Sequence, residues 1–154
     1  MGKGQGTKFK IVMPDLSEII EFVKKYTLDS KITASTDIFS DTILKGDDFD
    51  EFIEKYAITF KVNMNRYLWY FHTDEEGCWN NIGGIFFAPP YKRVKRIPVT
   101  PTMLLDYANE GIWSLNYPEH ILPKKRYDII INTFFVGICL IFALIWILLK
   151  LLHK

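Results

Sequence analysis

The last part of the chain contains one uninterrupted apolar stretch. From Ile129 to Leu149 no side chain is charged, and Asn132 is the only strongly polar one. As an α-helix these residues measure about 32 Å, which matches a hydrocarbon core of about 30 Å. Apolar side chains occupy every face, so no polar stripe is left to face water. The pattern predicts a transmembrane helix over residues 127–150, followed by a short tail at 151–154.

Basic and amphipathic residues flank this apolar stretch. These residue types settle at membrane–water interfaces, and we predict that the following residues are interface anchors: Lys124, Lys125, Arg126, Tyr127, Trp146 and Lys150. The first 25 residues contain acidic side chains and no apolar core of a signal peptide. We therefore expect a single-pass protein whose N-terminal domain stays in the cytoplasm.

Amphipathic patterns before the apolar stretch predict three further helices. Apolar residues recur at helical spacing over residues 15–26, and Pro14 and Asp15 are typical helix-opening residues. Residues 46–60 predict a second helix, with acidic side chains in its first turn. A third helix opens with Thr100 as N-cap and ends at Gly111. These elements predict a mainly α fold.

The segment between the second and third helices lacks a clear period. Gly83, Gly84, Pro89 and Pro90 interrupt residues 79–98 and favour short extended pieces, with a small hairpin around IGGIFF. We therefore predict a small helical bundle with a short irregular or hairpin insertion. The predicted divisions are a disordered leader at 1–9, a soluble domain at 10–114 and a juxtamembrane linker at 115–126.

Charge and candidate ligands argue against several functional classes. Residues 1–126 carry 17 Lys and Arg against 17 Asp and Glu, so nothing indicates a nucleic-acid-binding protein. One local group, formed by His72, Asp74, Glu75 and Cys78, contains possible metal ligands, but structural zinc usually needs paired Cys or His. No nucleophile motif is recognisable. We predict no catalytic residues, no metal and no cofactor.

The order of these elements resembles acyl carrier proteins. In that family the second helix starts with Asp-Ser-Leu, and the serine receives a phosphopantetheine arm. Here the tripeptide reads Asp47-Asp48-Phe49, so Asp48 occupies the serine position. A carboxylate cannot accept the arm by the phosphodiester route, and we expect that this position binds no cofactor.

A closer resemblance covers residues 10–150. The segments that carry it are GDDFDEF, WNNIGGIFFAPPY, IPVTPTMLLDYANEGIW and LPKKRYDI. They are similar to the uncharacterised bacterial family called domain of unknown function 1493. The resemblance implies an acyl-carrier-like fold and membership mainly in enteric bacteria, and it carries no established activity. Together with the predicted transmembrane helix, it leads us to expect a place in the bacterial inner membrane.

The acidic start of the second helix is the best candidate for a functional surface. Acyl carrier proteins meet their enzymes through the acidic face of this helix, and the matching docking candidates are Asp47, Asp48, Asp50, Glu51 and Glu54. We therefore predict a non-catalytic, membrane-anchored interaction module with a protein partner and the lipid bilayer as ligands. Such electrostatic docking should weaken as salt rises.

Three further hypotheses concern other residues. The protein is alternatively a carrier modified on Ser40 or Ser35, or a small membrane-complex or immunity-type subunit whose helix recognises another membrane protein. Small residues at Thr133 and Gly137 would permit close helix approach, although a passive anchor with a hydrated Asn132 is the favoured interpretation. Basic residues at 92–96 are candidates for contact with anionic headgroups.

Overall fold

The computed structural model describes residues 13–75 and 82–153, and within them the chain is mainly helical and has no β-strand. Two 3-10 turns, Trp69–Phe71 and Pro90–Arg93, accompany five helices: α1 Leu16–Thr27, α2 Gly46–Phe60, α3 Ile82–Phe86, α4 Pro101–Glu110 and α5 Tyr127–Leu152. The predicted fold class is confirmed. The predicted leader at 1–9, Cys78 and the final Lys154 lie outside the described residues.

Local capping explains where α1 and α4 begin. The Asp15 carboxylate accepts the Glu18 N–H at 2.9 Å, and the Glu18 carboxylate accepts the Asp15 N–H at 3.3 Å, forming a capping box. The Thr100 hydroxyl accepts the Met103 N–H in the same way. After α4, Gly111 takes a left-handed φ of 71°, which ends the helix where the sequence predicted.

The first compact unit is formed by residues 13–44, 48–67 and 98–116. In it α1 packs against α4, and the Tyr56 hydroxyl of α2 donates to the Leu104 carbonyl of α4 at 2.6 Å. The backbone of Ile38 in the long loop donates to Val99 at 2.9 Å, so that loop is tied to the unit. Its largest fully buried side chains are Trp113, Tyr56, Phe49, Phe52, Ile19, Ile38, Leu104, Val23 and Val99.

The second compact unit is formed by residues 45–47, 68–97 and 117–153 and contains α3, both 3-10 turns and α5. Part of the predicted linker, residues 117–126, belongs to this unit. Tyr117 bonds His72, and Arg126 bonds Glu75, across 45 and 51 residues of chain. The soluble domain predicted at 10–114 is not tested by this division and stays a prediction.

The predicted hairpin around IGGIFF is wrong, because residues Ile82–Phe86 form the short helix α3. Gly83 lies directly on the backbone of α5, and a Cβ there would overlap the Asp128 carbonyl. The glycine therefore permits close packing of two helices and does not supply a hairpin turn. Short apolar runs of this kind fit a strand or a buried helix equally well by period.

The long C-terminal helix, predicted at residues 127–150, is confirmed as α5, Tyr127–Leu152. α5 contains 26 residues, so it is about 39 Å long. It is the helix of the described residues that is long and apolar enough to span a membrane, and its most apolar window is not buried by the rest of the chain. A single-pass membrane protein fits this finding.

Candidate functional site

Helix α2 separates an apolar face from a charged one. Phe49, Phe52, Ile53 and Tyr56 are buried, and their spacing places them on one side of the helix. The docking candidates predicted from the sequence are all exposed: Asp47, Asp48, Asp50, Glu51 and Glu54. Asp47 and Asp48 lie in the first turn, where they complement the partial positive charge of the helix N-terminus.

An exposed isoleucine extends this charged face. Ile58 is 64% exposed, and it follows Asp47, Glu51 and Glu54 at the i+4, i+7 and i+11 spacing that aligns residues along one helix side. Sequence reasoning did not single out Ile58, because only the carboxylates of this helix were considered as a docking surface. The sequence did contain a signal, because the spacing of Ile58 places it on the same side of the helix as the carboxylates.

The charges on this face are available to an external partner. Within the described residues, Asp47, Asp48, Glu51 and Glu54 form no ion pair. Asp48 presents a solvated carboxylate. The face therefore offers electrostatic attraction to a basic surface.

The serines of the alternative carrier hypothesis lie in the loop before α2. Ser35 and Ser40 are both exposed. Ser40 lines an open cleft of about 480 Å³ together with Leu28 and Ile43, whose side chains are exposed. The cleft lies within the first compact unit.

His72, the centre of the possible metal group, is buried and fully engaged. Its Nδ1 lies 2.9 Å from the Ile97 carbonyl, which can only accept, so Nδ1 carries the proton. Its Nε2 then accepts the Tyr117 hydroxyl at 2.8 Å, and the Tyr117 oxygen accepts the Leu68 N–H at 3.1 Å. Neither ring nitrogen is directed at an ion, and no group of three possible ligands occurs within the described residues.

Arg126, a predicted interface anchor, lies between two carboxylates. Its Nη1 and Nη2 donate to both Glu75 oxygens at 2.7 Å, and its Nε and Nη2 donate to the Asp128 oxygens at 2.9 and 2.6 Å. The hydrogen bonds that Arg126 donates to Asp128, and then those to Glu75, raise the pKa of Arg126 above its ordinary value. The guanidinium therefore supports an internal ion cluster, which the sequence analysis did not foresee. An acidic residue at the edge of an apolar stretch was the signal, since such a charge needs a partner.

The other predicted anchors lie at both ends of α5. Lys124, Lys125 and Tyr127 are exposed, and the Tyr127 ring lies 5.4 Å from that of Phe87. At the opposite end the Lys150 ammonium lies 4.7 Å from the centre of the Trp146 ring, a cation–π contact. Their role at the membrane interface stays a prediction.

Comparison with known proteins assigns no relative. No protein-family model, curated protein or solved structure matches this chain. The resemblance to domain of unknown function 1493, and with it the acyl-carrier-like detail of the fold, therefore stays a prediction.

One side of α5 is grooved around a glycine. The groove measures about 510 Å³ and is lined by Ile129, Ile130, Thr133, Phe134, Gly137, Ile138 and Ile141. A Cβ at Gly137 would meet no atom of the described chain within 4 Å, so the protein itself does not use this gap. The side chain of Asn132 was expected to be hydrated. Its side-chain oxygen instead accepts the Gly83 N–H at 2.9 Å, a hydrogen bond within the chain.

Proposed function

We propose that this protein is a non-catalytic, membrane-tethered module that docks a basic protein partner through the exposed face of α2. The observation that carries the proposal is the alignment of carboxylates with one exposed apolar side chain, Ile58, on the face opposite the buried one. Carboxylates attract and orient a basic surface over a distance, and a desolvated apolar contact adds short-range affinity.

The chemistry of the partner follows from this face. A complementary surface carries several Lys or Arg side chains around an apolar recess that accepts Ile58. The absence of a hydroxyl at Asp48 fits a role in which the face binds without being modified. The anchor α5 restricts the module to the membrane surface, which raises its effective concentration near membrane-bound partners.

The location is part of the proposal. The predicted transmembrane helix and the resemblance to a bacterial family favour the inner membrane, with the N-terminal domain in the cytoplasm. The basic residues before α5 agree with this orientation, because Lys and Arg are enriched on the cytoplasmic side.

Site-specific photo-cross-linking tests the docking face. A benzoylphenylalanine replaces Ile58 in the full-length protein, expressed in its native host, and the same probe replaces Asn109 on α4 as an exposed control. We expect a discrete adduct from position 58 alone, identified by mass spectrometry. Raising the ionic strength during irradiation should decrease its yield.

Charge reversal supplies the matched comparison. Asp48→Lys, Glu51→Lys and Glu54→Lys together should decrease the affinity for the cross-linked partner on the order of tenfold or more. Reversing three other exposed acids, Asp74, Asp106 and Glu119, changes the net charge by the same amount and should leave the adduct in place. Equal loss in both variants, or no loss in either, contradicts docking through α2.

The unused groove on α5 favours a second candidate, a subunit whose helix recognises another membrane protein. Gly137 permits a close approach that nothing within the described chain exploits. Replacing residues 133–145 with leucines tests it, because Asp128 and Asn132 keep their contacts with the rest of the chain. If the protein with the leucine segment still associates with its membrane partner, helix recognition is excluded. Loss of that association, while the α2 adduct still forms in detergent, would support helix recognition.

The carrier alternative is tested separately by intact mass. Ser40 is exposed and lines an open cleft. Protein purified from the native host gains a phosphopantetheine mass only if a serine carries the arm, and Ser40→Ala and Ser35→Ala assign the position. An unmodified mass supports the docking module.

A further inference from the structure

Helix α3 presents large apolar side chains that the chain leaves uncovered. Ile85 is 79% exposed and Phe86 is 70% exposed, although neither residue belongs to the long apolar stretch. Phe87 continues this surface and touches the Tyr127 ring at the start of α5. Adjacent apolar side chains of this size rarely stay in water, and they mark a surface that another apolar phase covers.

The position of α3 identifies that phase. Gly83 packs on the Asp128 carbonyl and donates to Asn132, so α3 is held beside the first two turns of α5. Asn132 lies three residues inside the apolar stretch, about 5 Å along the helix axis from Ile129. If α5 spans a bilayer, α3 therefore lies at the level where the headgroups meet the hydrocarbon.

Basic residues occur at the edge of this apolar surface. The 3-10 turn Pro90–Arg93 follows α3, and both Lys92 and Arg93 are exposed. The Arg93 Nε donates to the Ala88 carbonyl at 2.7 Å. This bond holds the guanidinium beside Ala88, which follows Phe86 by two residues. An apolar surface with a basic border is typical of segments that lie in the membrane interface.

We propose that residues 82–93 form an interfacial foot that inserts into the leaflet entered by the N-terminal end of α5. Ile85, Phe86 and Phe87 occupy the boundary of the hydrocarbon, and Lys92 and Arg93 contact headgroup phosphates. The lipid bilayer, and not a protein, is the occupant, because this surface continues the exposed apolar surface of α5. The foot fixes the rotation and depth of the second compact unit relative to the bilayer.

Spin-label accessibility in the reconstituted full-length protein tests the foot. With Cys78 and Cys139 replaced by serine, single cysteines at positions 85 and 86 receive a nitroxide. Ser30 serves as the aqueous reference, and Ile130 and Phe134 on α5 serve as membrane references. Collisions with oxygen, which concentrates in lipid, and with a water-soluble nickel chelate are measured in vesicles of phosphatidylcholine and phosphatidylglycerol.

Insertion predicts high oxygen and low nickel accessibility at 85 and 86, with a depth close to that of position 130 and shallower than 134. Nickel accessibility equal to that at Ser30 overturns the proposal, because the side chains then face water. Low accessibility to both reagents also overturns it, because a protein contact then covers them. Since Ile85 and Phe86 are largely exposed, the label should leave the melting temperature unchanged. If the label lowers the melting temperature at one of these positions, position 87 is labelled instead.

Discussion

At the scale of single residues, the ion cluster around Arg126 carries the largest energetic consequence. Asp128 is 2% exposed at the start of an apolar helix, and Arg126 supplies its positive partner. A buried carboxylate without a partner is strongly unfavourable, whereas a complete pair is tolerated. The cluster therefore makes the beginning of α5 depend on Glu75, a residue 51 positions earlier.

Replacing Arg126 with methionine should destabilise the protein by about 3 kcal/mol, because the Asp128 charge is then buried without its cation. Thermal unfolding in detergent micelles measures the effect. Arg66→Met, at an exposed arginine, is the control and should change stability by less than about 0.5 kcal/mol. Adding Asp128→Asn to Arg126→Met should recover part of the loss. No recovery would mean that the Asp128 charge is not the cause.

The capping residue Asp15 should make stability depend on pH. The Ser17 hydroxyl and then the Glu18 N–H donate to its carboxylate and hold the pKa of Asp15 below its ordinary value. A lowered folded pKa contributes stability above the unfolded value of about 3.9, and that contribution is lost as pH falls through the folded pKa.

Asp15→Asn keeps a capping side chain but removes the titrating group. The stability of the natural protein relative to this variant should therefore be greater at about pH 6 than at about pH 3. Chemical denaturation at both pH values measures the difference, and other acidic residues cancel in the comparison. A difference that is independent of pH would contradict the role of the Asp15 charge.

At the scale of elements, two glycines show how differently one residue type is used. Gly83 in α3 lies against α5, whereas Gly137 in α5 faces open space. Both occur in helices, where glycine is intrinsically unfavourable. Packing within the described chain explains Gly83 and does not explain Gly137. The same substitution at the two positions therefore isolates the effect of packing.

Gly83→Ala should destabilise the protein by about 1–3 kcal/mol, because the new methyl group overlaps the Asp128 carbonyl and displaces α3. Gly137→Ala should leave stability unchanged or raise it by up to about 1 kcal/mol, owing to the better helix propensity. Melting in micelles compares both variants with the parent. Equal effects would show that α3 does not pack closely on α5.

At the scale of the whole molecule, the described residues form two compact units, and the most apolar window of α5 is not buried by them. The first unit carries Asp48, Asp50, Glu51 and Glu54 of the acidic face of α2, and the second carries the anchor α5 and the surface of α3. The predicted charge balance of residues 1–126 argues for a local electrostatic face and against a strong overall field. Function at this scale depends on which side of the membrane holds the first unit.

Thiol labelling of intact spheroplasts should reveal that side. In a background with Cys78 and Cys139 replaced by serine, Ser30→Cys should be protected from a membrane-impermeable maleimide, and His153→Cys should react. Permeabilised membranes, in which both should react, are the control. The opposite pattern would place the N-terminal domain outside the cytoplasm and would contradict the predicted orientation.

The sequence by itself determined the elements whose causes are local. The length and uniform apolarity of α5, the capping box at Asp15 and the Thr100–Gly111 limits of α4 all arise from neighbouring residues, and the structure agrees with them. The acidic candidates on α2 were also readable, because exposure follows from helical period. Ile58 lies on the same side of the helix and was not singled out, because only charged residues were considered there.

Tertiary structure decided whatever depends on distant partners. Gly83 indicated a turn, but α5 supplies a backbone that only glycine can approach. The ion pairs of Arg126 with Glu75 and Asp128 were not readable from the sequence, and its role as an interface anchor stays a prediction. The partners of His72, Ile97 and Tyr117, were likewise hidden in the sequence. A side chain's chemistry is local, but its partner is chosen by packing between segments that lie far apart in the chain. For that reason the pattern predicted α1, α2, α4 and α5 but not α3, and the fold decided which distant partners their polar residues bind.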